Sequence, residues 1–211
     1  MSRDDTWKLL FARALTILDS AISAGMPADW SFGGGTVLML RHRHRFSKDV
    51  DIFLAEPQYL GFVTPRLNDT AENGMTDYIE QHNSIKIYFP EGEVDFVAAG
   101  ALTENPCSVE LVLDRHVNVE QSVEIVGKKI HFRAADFKAR DMFDLTLVLE
   151  REPQTHTALE NLLSQKRTIL GDRFLHHDIE LREDFAALDT LDYAPSYEHC
   201  LAVISKHLGI D

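Results

Sequence analysis

The stretch that decides the fold reads Ser31-Phe-Gly-Gly-Gly-Thr-Val-Leu-Met-Leu-Arg-His-Arg-His-Arg-Phe-Ser-Lys-Asp-Val-Asp-Ile-Phe53. A glycine-rich turn at residues 33–36 follows a short apolar segment and precedes apolar residues at helical spacing. Asp49 and Asp51 then alternate with apolar residues, which is typical of a strand. The pattern predicts a strand, a glycine turn, a helix and a second strand, with the strands at residues 28–32 and 50–54.

The two aspartates suit a bound cation. Side chains two residues apart on a strand point to the same face, so the carboxylates of Asp49 and Asp51 can hold one hard metal ion. The glycines before them allow close backbone approach, and the unpaired N–H groups at the start of the following helix favour phosphate. Thr36 adds a hydroxyl at that point. Together these features predict a site for a metal and a phosphorylated ligand.

Asp95 is the candidate for a third carboxylate. Phosphoryl transfer with two metal ions roughly 3.5–4 Å apart needs more ligands than two side chains provide. Asp95 lies between Val94 and Phe96, on a strand otherwise suited to burial, where an acid requires a reason. The alternative is an acid on an edge strand that faces solvent, because Glu93 lies on the same face.

The remaining sequence predicts a sheet followed by helices. An amphipathic helix covers residues 5–24, where apolar residues recur at helical spacing and a glycine and a proline end the pattern. A hairpin is indicated by alternating apolar residues on both sides of Pro90-Glu91-Gly92. The expected strands of the hairpin are 84–89 and 93–98, and a further strand is expected at 109–113. Helices are expected near 121–131, 136–151, 156–170, 174–189 and 195–208, with breaks at Pro153 and Gly171.

These elements indicate an α+β protein in which a sheet is followed by helices. With 211 residues and 45% hydrophobic composition, the chain can bury a sizeable core. No repeat or low-complexity linker interrupts it. We therefore expect any boundary near residue 120 to separate two packed parts of one unit, residues 1–120 and a helical part at residues 121–211.

Charge is unevenly distributed. The net charge is −13, which argues against a protein that coats nucleic acid. Residues 41–48 and 128–140 carry a net charge of +8, which leaves −21 on the rest of the chain. Two basic segments in an acidic body suit a local polyphosphate site, although two solvated helix faces would give the same pattern.

Membrane, disulfide and zinc chemistry are not indicated. The N-terminus begins with charged residues, and no apolar run approaches the roughly 18 residues of a membrane span, so we expect a soluble cytoplasmic protein without a membrane partner. Cys107 and Cys200 lack metal-ligand spacing and are expected to be free thiols. The histidine pairs His42/His44 and His176/His177 lack zinc-site partners and are expected to have structural or surface roles.

The glycine pair, hydroxyl residue and Arg45-Phe-Ser-Lys-Asp-Val-Asp51 together resemble the first motif of the DNA polymerase β-like nucleotidyltransferases and, more narrowly, of the AbiEii/AbiGii toxin family. A second block agrees with this likeness. Residues 124–133, Glu-Ile-Val-Gly-Lys-Lys-Ile-His-Phe-Arg, resemble the family's lysine motif, and Lys138-Ala-Arg-Asp-Met-Phe-Asp-Leu145 resembles its Arg-Asp-x-x-Asp-Leu motif. Nothing beyond about residue 150 is specific.

The resemblance implies a polymerase β-like nucleotidyltransferase core with a mixed sheet flanked by helices at residues 1–120. A C-terminal helical bundle at residues 121–211 would close the active-site cleft. The resemblance also implies roles for individual residues. Asp49, Asp51 and Asp95 would bind magnesium, most simply as two ions, while Lys129 and Asp141 would complete the catalytic set. An ion-pair network between helices is the alternative for Arg140, Asp141 and Asp144. The candidates for binding the nucleoside triphosphate are Gly34, Gly35, Thr36, Arg45, Ser47 and Lys128, although three glycines leave open which two contact phosphate.

The resemblance further implies transfer of a nucleoside monophosphate from an NTP to an acceptor, with loss of pyrophosphate. The acceptor would be RNA, for example a tRNA 3′ end, or a protein hydroxyl, and the chain would be the toxin of a toxin–antitoxin or phage-defence pair with a cognate antitoxin. One rival is a small-molecule nucleotidyltransferase that modifies an antibiotic. Another is a catalytically silent module that binds nucleotide or antitoxin. No pattern in the sequence indicates which nucleobase would be recognised.

Overall fold

The predicted order of strand, glycine turn, helix and strand is present in a computed structural model, which describes residues 5–210. Ser2 and the charged residues Arg3 and Asp4 lie outside this range. The chain forms two compact units. One comprises the segment that ends at Val37 together with Ser47–Ala101 and Cys107–Glu120, and the other comprises Leu38–Phe46, Leu102–Pro106 and the segment that begins at Gln121.

The first unit contains a seven-stranded mixed sheet, counted within residues 5–210. Its strands in spatial order are β3, β4, β5, β2, β1, β7 and β6. The pairs β2–β5 and β1–β7 are parallel and the other neighbours are antiparallel, so the expected mixed sheet is confirmed. The strands are β1 Trp30–Gly33, β2 Val50–Leu54, β3 Asp77–Glu80, β4 Ser84–Phe89, β5 Gly92–Ala98, β6 Cys107–Val112 and β7 Arg115–Glu120.

Helix α1, Thr6–Ser23, covers one face of this sheet, as its apolar stripe predicts. The Phe11 ring centroid lies 4.5 Å from that of Phe32 on β1, and both rings are fully buried. The opposite face of β2 and β5 is only half-buried and carries the predicted acids. Two short helices also belong to this unit, α3 Leu60–Val63 and α4 Asp69–Glu72, and neither was predicted.

Phe11→Ala is expected to destabilise the protein by about 3–5 kcal/mol, because it removes a large buried ring and leaves a cavity against Phe32. Urea unfolding followed by circular dichroism measures the loss. Leu9→Ala is the matched control, since Leu9 lies on the same helix with its side chain 39% exposed. Equal losses for the two variants would contradict the proposed packing of α1.

The second unit is helical. Helix α2, Gly34–His42, begins in the first unit and ends in the second. Apolar residues from several helices form the core, among them Phe143, Leu163 and Ile204. The remaining helices of this unit are α5 Ser122–Arg133, α6 Ala139–Arg151, α7 His156–His176, α8 Asp178–Ala186 and α9 Tyr197–Leu208.

The predicted break at Gly171 is wrong. Helix α7 continues through Gly171 to His176, while the break at Pro153 is confirmed by the end of α6 at Arg151. Glycine inside a helix costs about 1 kcal/mol relative to alanine. Burial of Leu170 and Phe174 on the same helix outweighs that cost, because each side chain removes a large apolar surface from water.

The strand predictions were accurate where apolar residues alternate. Strand β2 and the β4–β5 hairpin lie where they were expected, and β6 begins two residues before the predicted strand. Strands β3 and β7 were not predicted. Strand β3 is an exposed edge strand without a buried face, and β7 has only two apolar residues, Val117 and Val119, among polar ones. No helix within residues 5–210 has the length and apolar character needed to cross a membrane.

Candidate active site

A row of charged side chains crosses the half-buried face of the sheet. Lys86 on β4 is paired with Asp95 on β5, and Asp95 is paired in turn with Asp51 on β2. Asp51 is paired with Gly33 at the end of β1. Residues directly opposite each other on neighbouring strands point to the same face. The fold therefore brings two of the three predicted acids together beside the glycine turn.

The third predicted acid, Asp49, immediately precedes β2 and is held by its backbone. The hydroxyl of Thr36 donates a 2.5 Å hydrogen bond to the carbonyl oxygen of Asp49 and lies 3.2 Å from Ser47 Oγ. The backbone N–H of Glu93 donates to Asp49 Oδ1 at 3.4 Å. These contacts fix the entry of the chain into β2 and so position both aspartates.

Thr36 and Ser47, which were predicted to bind nucleotide, are thus brought together beside Asp49. Thr36 is fully buried and its hydroxyl hydrogen already points to a backbone carbonyl. In this arrangement the hydroxyl stabilises the start of β2. Contact of either side chain with phosphate stays a prediction.

The three glycines of the turn have different surroundings. Gly33 ends β1, and a Cβ atom there would lie 2.4 Å from Glu120 Oε2. Gly34 begins α2 with a φ of +74°. A Cβ atom at Gly34 would overlap the Asp51 carboxylate, 1.8 Å from Oδ2. The absence of a side chain at residue 34 is therefore what allows the Asp51 carboxylate to lie against the turn.

Gly34→Ala is expected to displace the Asp51 carboxylate and to reduce nucleotide transfer by about a hundredfold, the order that a misplacement of about 1 Å produces. The Gly25→Ala variant is the control. Gly25 also has a positive φ, +105°, but among residues 5–210, its two chain neighbours aside, no atom lies within 4 Å of a Cβ atom built there. Both variants carry the backbone strain, and only Gly34→Ala moves a carboxylate. Similar transfer rates in the two variants would contradict this account.

Two of the predicted acids, Asp49 and Asp95, lie in surroundings that disfavour their charges. Burial, followed by the charge of Asp51, raises the pKa of Asp95 to about 6. Burial and the charge of Glu93 raise the pKa of Asp49. The positive charge around Asp49 and Asp95 is therefore too small to offset their burial. A cation bound there would stabilise the ionised form of both carboxylates.

The donor set fits magnesium in its chemistry. Carboxylate oxygens on neighbouring strands, as in Asp51 and Asp95, are the hard ligands that magnesium prefers. Within residues 5–210, however, no three His, Cys, Asp or Glu side chains already surround a point that a metal ion could fill. At Asp95, the positive charge is supplied by the ammonium of Lys86, at 2.6 Å from Oδ2.

Lys86 was missed as a site residue in the sequence analysis. Alternation along β4 predicts only that Lys86 points away from the buried face. The signal was nevertheless available. A turn at residues 90–92 pairs Phe89 with Gly92, and counting back along the hairpin pairs Lys86 with Asp95.

The second unit holds the other predicted catalytic residues in a buried ionic network. Lys129 Nζ on α5 donates to Asp141 Oδ1 and to Asp144 Oδ2 on α6, both at 2.7 Å. Arg45 donates to both oxygens of Asp144 at 2.7 Å, and His44 Nε2 lies 2.8 Å from Asp144 Oδ1. The side chains of Asp141 and Asp144 are fully buried.

The pKa values in this network follow from the pairing. Burial acts to raise the pKa of Asp144, but the charges of Arg45 and Lys129 outweigh it and hold that pKa well below its usual range. The pKa of Asp141 is lowered for the same reason, chiefly by Lys129. Burial lowers the pKa of His44. Two cations, Arg45 and Lys129, thus balance the two ionised aspartates.

The network corresponds to the alternative considered for Asp141 and Asp144, in which ion pairs join helices. Its arginine is Arg45, whereas Arg140 is exposed. Arg45 was predicted to bind nucleotide, and here it pairs with Asp144. Lys128, the second candidate lysine, lies 3.5 Å from Glu124. The roles of Lys129 and Asp141 toward a nucleotide stay predictions from the resemblance.

Comparison with known proteins identifies the family. The family model described as "Nucleotidyl transferase AbiEii toxin, Type IV TA system" matches residues 16–205. This match covers most of the chain and both blocks on which the resemblance rests. No curated protein sequence matches the chain.

Solved structures with similar folds include two bacterial nucleotidyltransferases. The toxin MenT4 from Mycobacterium tuberculosis has a TM-score of 0.53 at 16% identity, over 99% of this chain and 84% of that one. A putative nucleotidyltransferase from H. pylori has a TM-score of 0.50 at 17% identity, over 99% and 94%. The antibiotic-resistance factor ANT(2'')-Ia has a TM-score of 0.50 at 15% identity, over 80% and 96%. At these identities the likeness establishes the fold, and the expected nucleotidyltransferase fold is confirmed.

Proposed function

Since the chain belongs to the AbiEii family of nucleotidyltransferase toxins, we propose that it transfers a nucleoside monophosphate from an NTP to an acceptor, with the Asp49, Asp51 and Asp95 carboxylates as its catalytic centre. The observation that carries this proposal is the pairing of Asp95 with Asp51 on parallel strands, next to the glycine turn that begins α2.

In the proposed reaction, an acceptor hydroxyl oxygen bonds to the α-phosphorus of the NTP. The bond from that phosphorus to the oxygen bridging to the β-phosphate breaks, pyrophosphate leaves, and the hydroxyl proton is released. Two magnesium ions held by Asp49, Asp51 and Asp95 would supply charge stabilisation for the attacking and leaving oxygens. The chain contributes the geometry of the carboxylates and the backbone N–H groups at the start of α2, which favour phosphate.

Two features of the chain support this arrangement. The φ of Gly34 and the absence of a side chain there leave the Asp51 carboxylate against the turn. The hydrogen bond from Thr36 to the Asp49 carbonyl ties the same turn to the start of β2. One short segment therefore positions the turn and the carboxylates of Asp49 and Asp51. This arrangement favours the binding of a triphosphate together with a cation over the binding of either ligand alone.

For the acceptor we propose RNA, for example a tRNA 3′ end, or a protein hydroxyl. The family description supports a toxin that acts with a cognate antitoxin. NTP substrates and either acceptor are available in the cytoplasm, which we propose as the compartment. The acidic body limits an extended nucleic-acid contact to the basic segments at residues 41–48 and 128–140.

The acceptor can be identified by incubating the purified protein with magnesium and each of the four NTPs labelled at the α-phosphorus, with total RNA, total protein or an aminoglycoside in separate reactions. Label that RNase removes indicates an RNA acceptor, and label that protease removes indicates a protein. Transfer to an aminoglycoside alone would instead establish the small-molecule enzyme. The absence of transfer with every acceptor would favour the silent binding module.

The toxin role needs a cellular test. Expression without the neighbouring gene of its genome should slow growth, and co-expression of a cognate antitoxin should restore it. Unimpaired growth with a protein that is active in vitro would contradict the toxin assignment.

A further inference from the structure

The ammonium of Lys86 lies between the carboxylates of Asp95 and Glu93, neighbours on the same face of β5. Lys86 Nζ is 2.6 Å from Asp95 Oδ2 and 2.7 Å from Glu93 Oε1. The register of β4 and β5 sets this position, because Lys86 is directly opposite Asp95. The side chain of Lys86 is 29% exposed, so its contacts with the two acids are partly open to solvent.

The charges around Lys86 do not balance. Four carboxylates lie close to one another. Those of Asp51, Glu93 and Asp95 are on one face of β2 and β5, and that of Asp49 immediately precedes β2. Within residues 5–210, the cation that lies within hydrogen-bond distance of Asp95 is the ammonium of Lys86. Burial acts to lower the pKa of Lys86, but its hydrogen bonds with Asp95 and Glu93 raise that pKa, so the side chain stays charged.

We propose that Lys86 occupies the place of a divalent cation at Asp95 in the free protein and is displaced from Asp95 when that cation binds. Lys86 is then a positioning residue, which acts through Asp95 and sets the affinity of the site for metal. This inference rests on the proposed function, because it takes Asp95 as a metal ligand.

The geometry gives the displaced ammonium a place to remain. Lysine is a point charge on a flexible stem, so its headgroup can leave one carboxylate without movement of the backbone. Glu93 lies two residues from Asp95 on the same face of β5 and already accepts a hydrogen bond from Lys86. Displacement therefore costs one ion pair of two, and Asp95 itself stays in register with Asp51.

The direct test is manganese binding to the nucleotide-free protein, measured by electron paramagnetic resonance. Lys86→Met is expected to bind manganese roughly tenfold more tightly than the wild type, because a like charge close to the metal is removed and solvent screens part of the effect. The gain is expected to vanish in an Asp95→Asn background, since Lys86 acts through that carboxylate.

Lys48→Met is the matched control. It removes the same charge close to Asp49, but Lys48 Nζ donates to the backbone carbonyl of Glu91, 3.2 Å away, and contacts no carboxylate of the row. We expect its manganese affinity to change by less than about threefold, as for a screened surface charge. Lys86→Arg, which keeps the charge, should retain the weaker binding. Circular dichroism verifies folding, and Lys86→Gln serves if the methionine variant does not fold.

Two failures can be told apart. Unchanged or weaker manganese binding in both Lys86→Met and Lys86→Gln overturns the role of Lys86. The proposed site itself fails if Asp51→Asn leaves the manganese affinity of the wild-type background unchanged, since Asp51 would then not be a ligand. A tenfold gain in Lys86→Met together with lost binding in Asp51→Asn supports both.

Discussion

Asp51→Asn is expected to lower the rate of nucleotide transfer by about a thousandfold or more, because a metal ligand supplies several kcal/mol of transition-state stabilisation and each 1.36 kcal/mol is a factor of ten. The asparagine keeps the shape of the side chain and removes its charge. Asp95→Asn should act similarly, since Asp95 is paired with Asp51 on the neighbouring strand. Single-turnover transfer from an α-labelled NTP measures both effects.

Asp77→Asn provides the control for a lost carboxylate on the same sheet. Asp77 lies on the exposed edge strand β3 and its Oδ1 accepts a hydrogen bond from the N–H of Tyr78. Its transfer rate should stay within about twofold of the wild type, as for most surface substitutions. A comparable loss in Asp77→Asn, or transfer retained in Asp51→Asn, would contradict the assignment of the catalytic centre.

Asp144→Asn is expected to destabilise the protein by about 3–5 kcal/mol, the usual result of breaking a buried ion pair by removing one partner. The Asp144 carboxylate accepts hydrogen bonds from Arg45 and Lys129. In the variant, both buried cations would lose the negative charge of Asp144. Urea unfolding measures the loss. Asp184→Asn is the control, because Asp184 is exposed on α8.

The same network predicts how stability depends on pH. The pKa of Asp144 in the folded protein lies well below its reference value of 3.8. The ionised carboxylate therefore contributes its full stabilisation above that reference value, and the contribution is lost as pH falls toward the folded pKa. In Asp144→Asn the loss of stability below about pH 4 should be smaller than in the wild type, since one linked proton is absent. Parallel acid denaturation curves would contradict this reading.

The parts of the fold that follow from short-range patterns could be predicted from the sequence. Strand β2 and the β4–β5 hairpin depend on alternation over a few residues, and the turn at Gly34 depends on a residue that tolerates positive φ. No sequence pattern predicted that Asp95 is paired with Asp51. The pairing was inferred from the chemical need for a third acid, and the register of β2 and β5 agrees with it.

The features that could not be predicted from the sequence depend on contacts between distant segments. Arg45 lies 99 residues from its partner Asp144, and no local pattern pairs them. The continuation of α7 through Gly171 depends on the burial of Leu170 and Phe174 in the helical core. The pairing of Lys86 with Asp95 could be predicted from the sequence, because the hairpin turn fixes the register, whereas alternation alone indicates only which face is buried.

The most direct test of the central claim is a comparison of α-labelled and γ-labelled NTP with the purified protein, magnesium and total RNA or protein as acceptor. Wild-type protein should transfer the α label to an acceptor and release the γ label as pyrophosphate, while Asp51→Asn should do neither. Transfer of the γ label, or equal transfer of the α label by the wild type and Asp51→Asn, would contradict a nucleotidyltransferase centred on the Asp51–Asp95 pair.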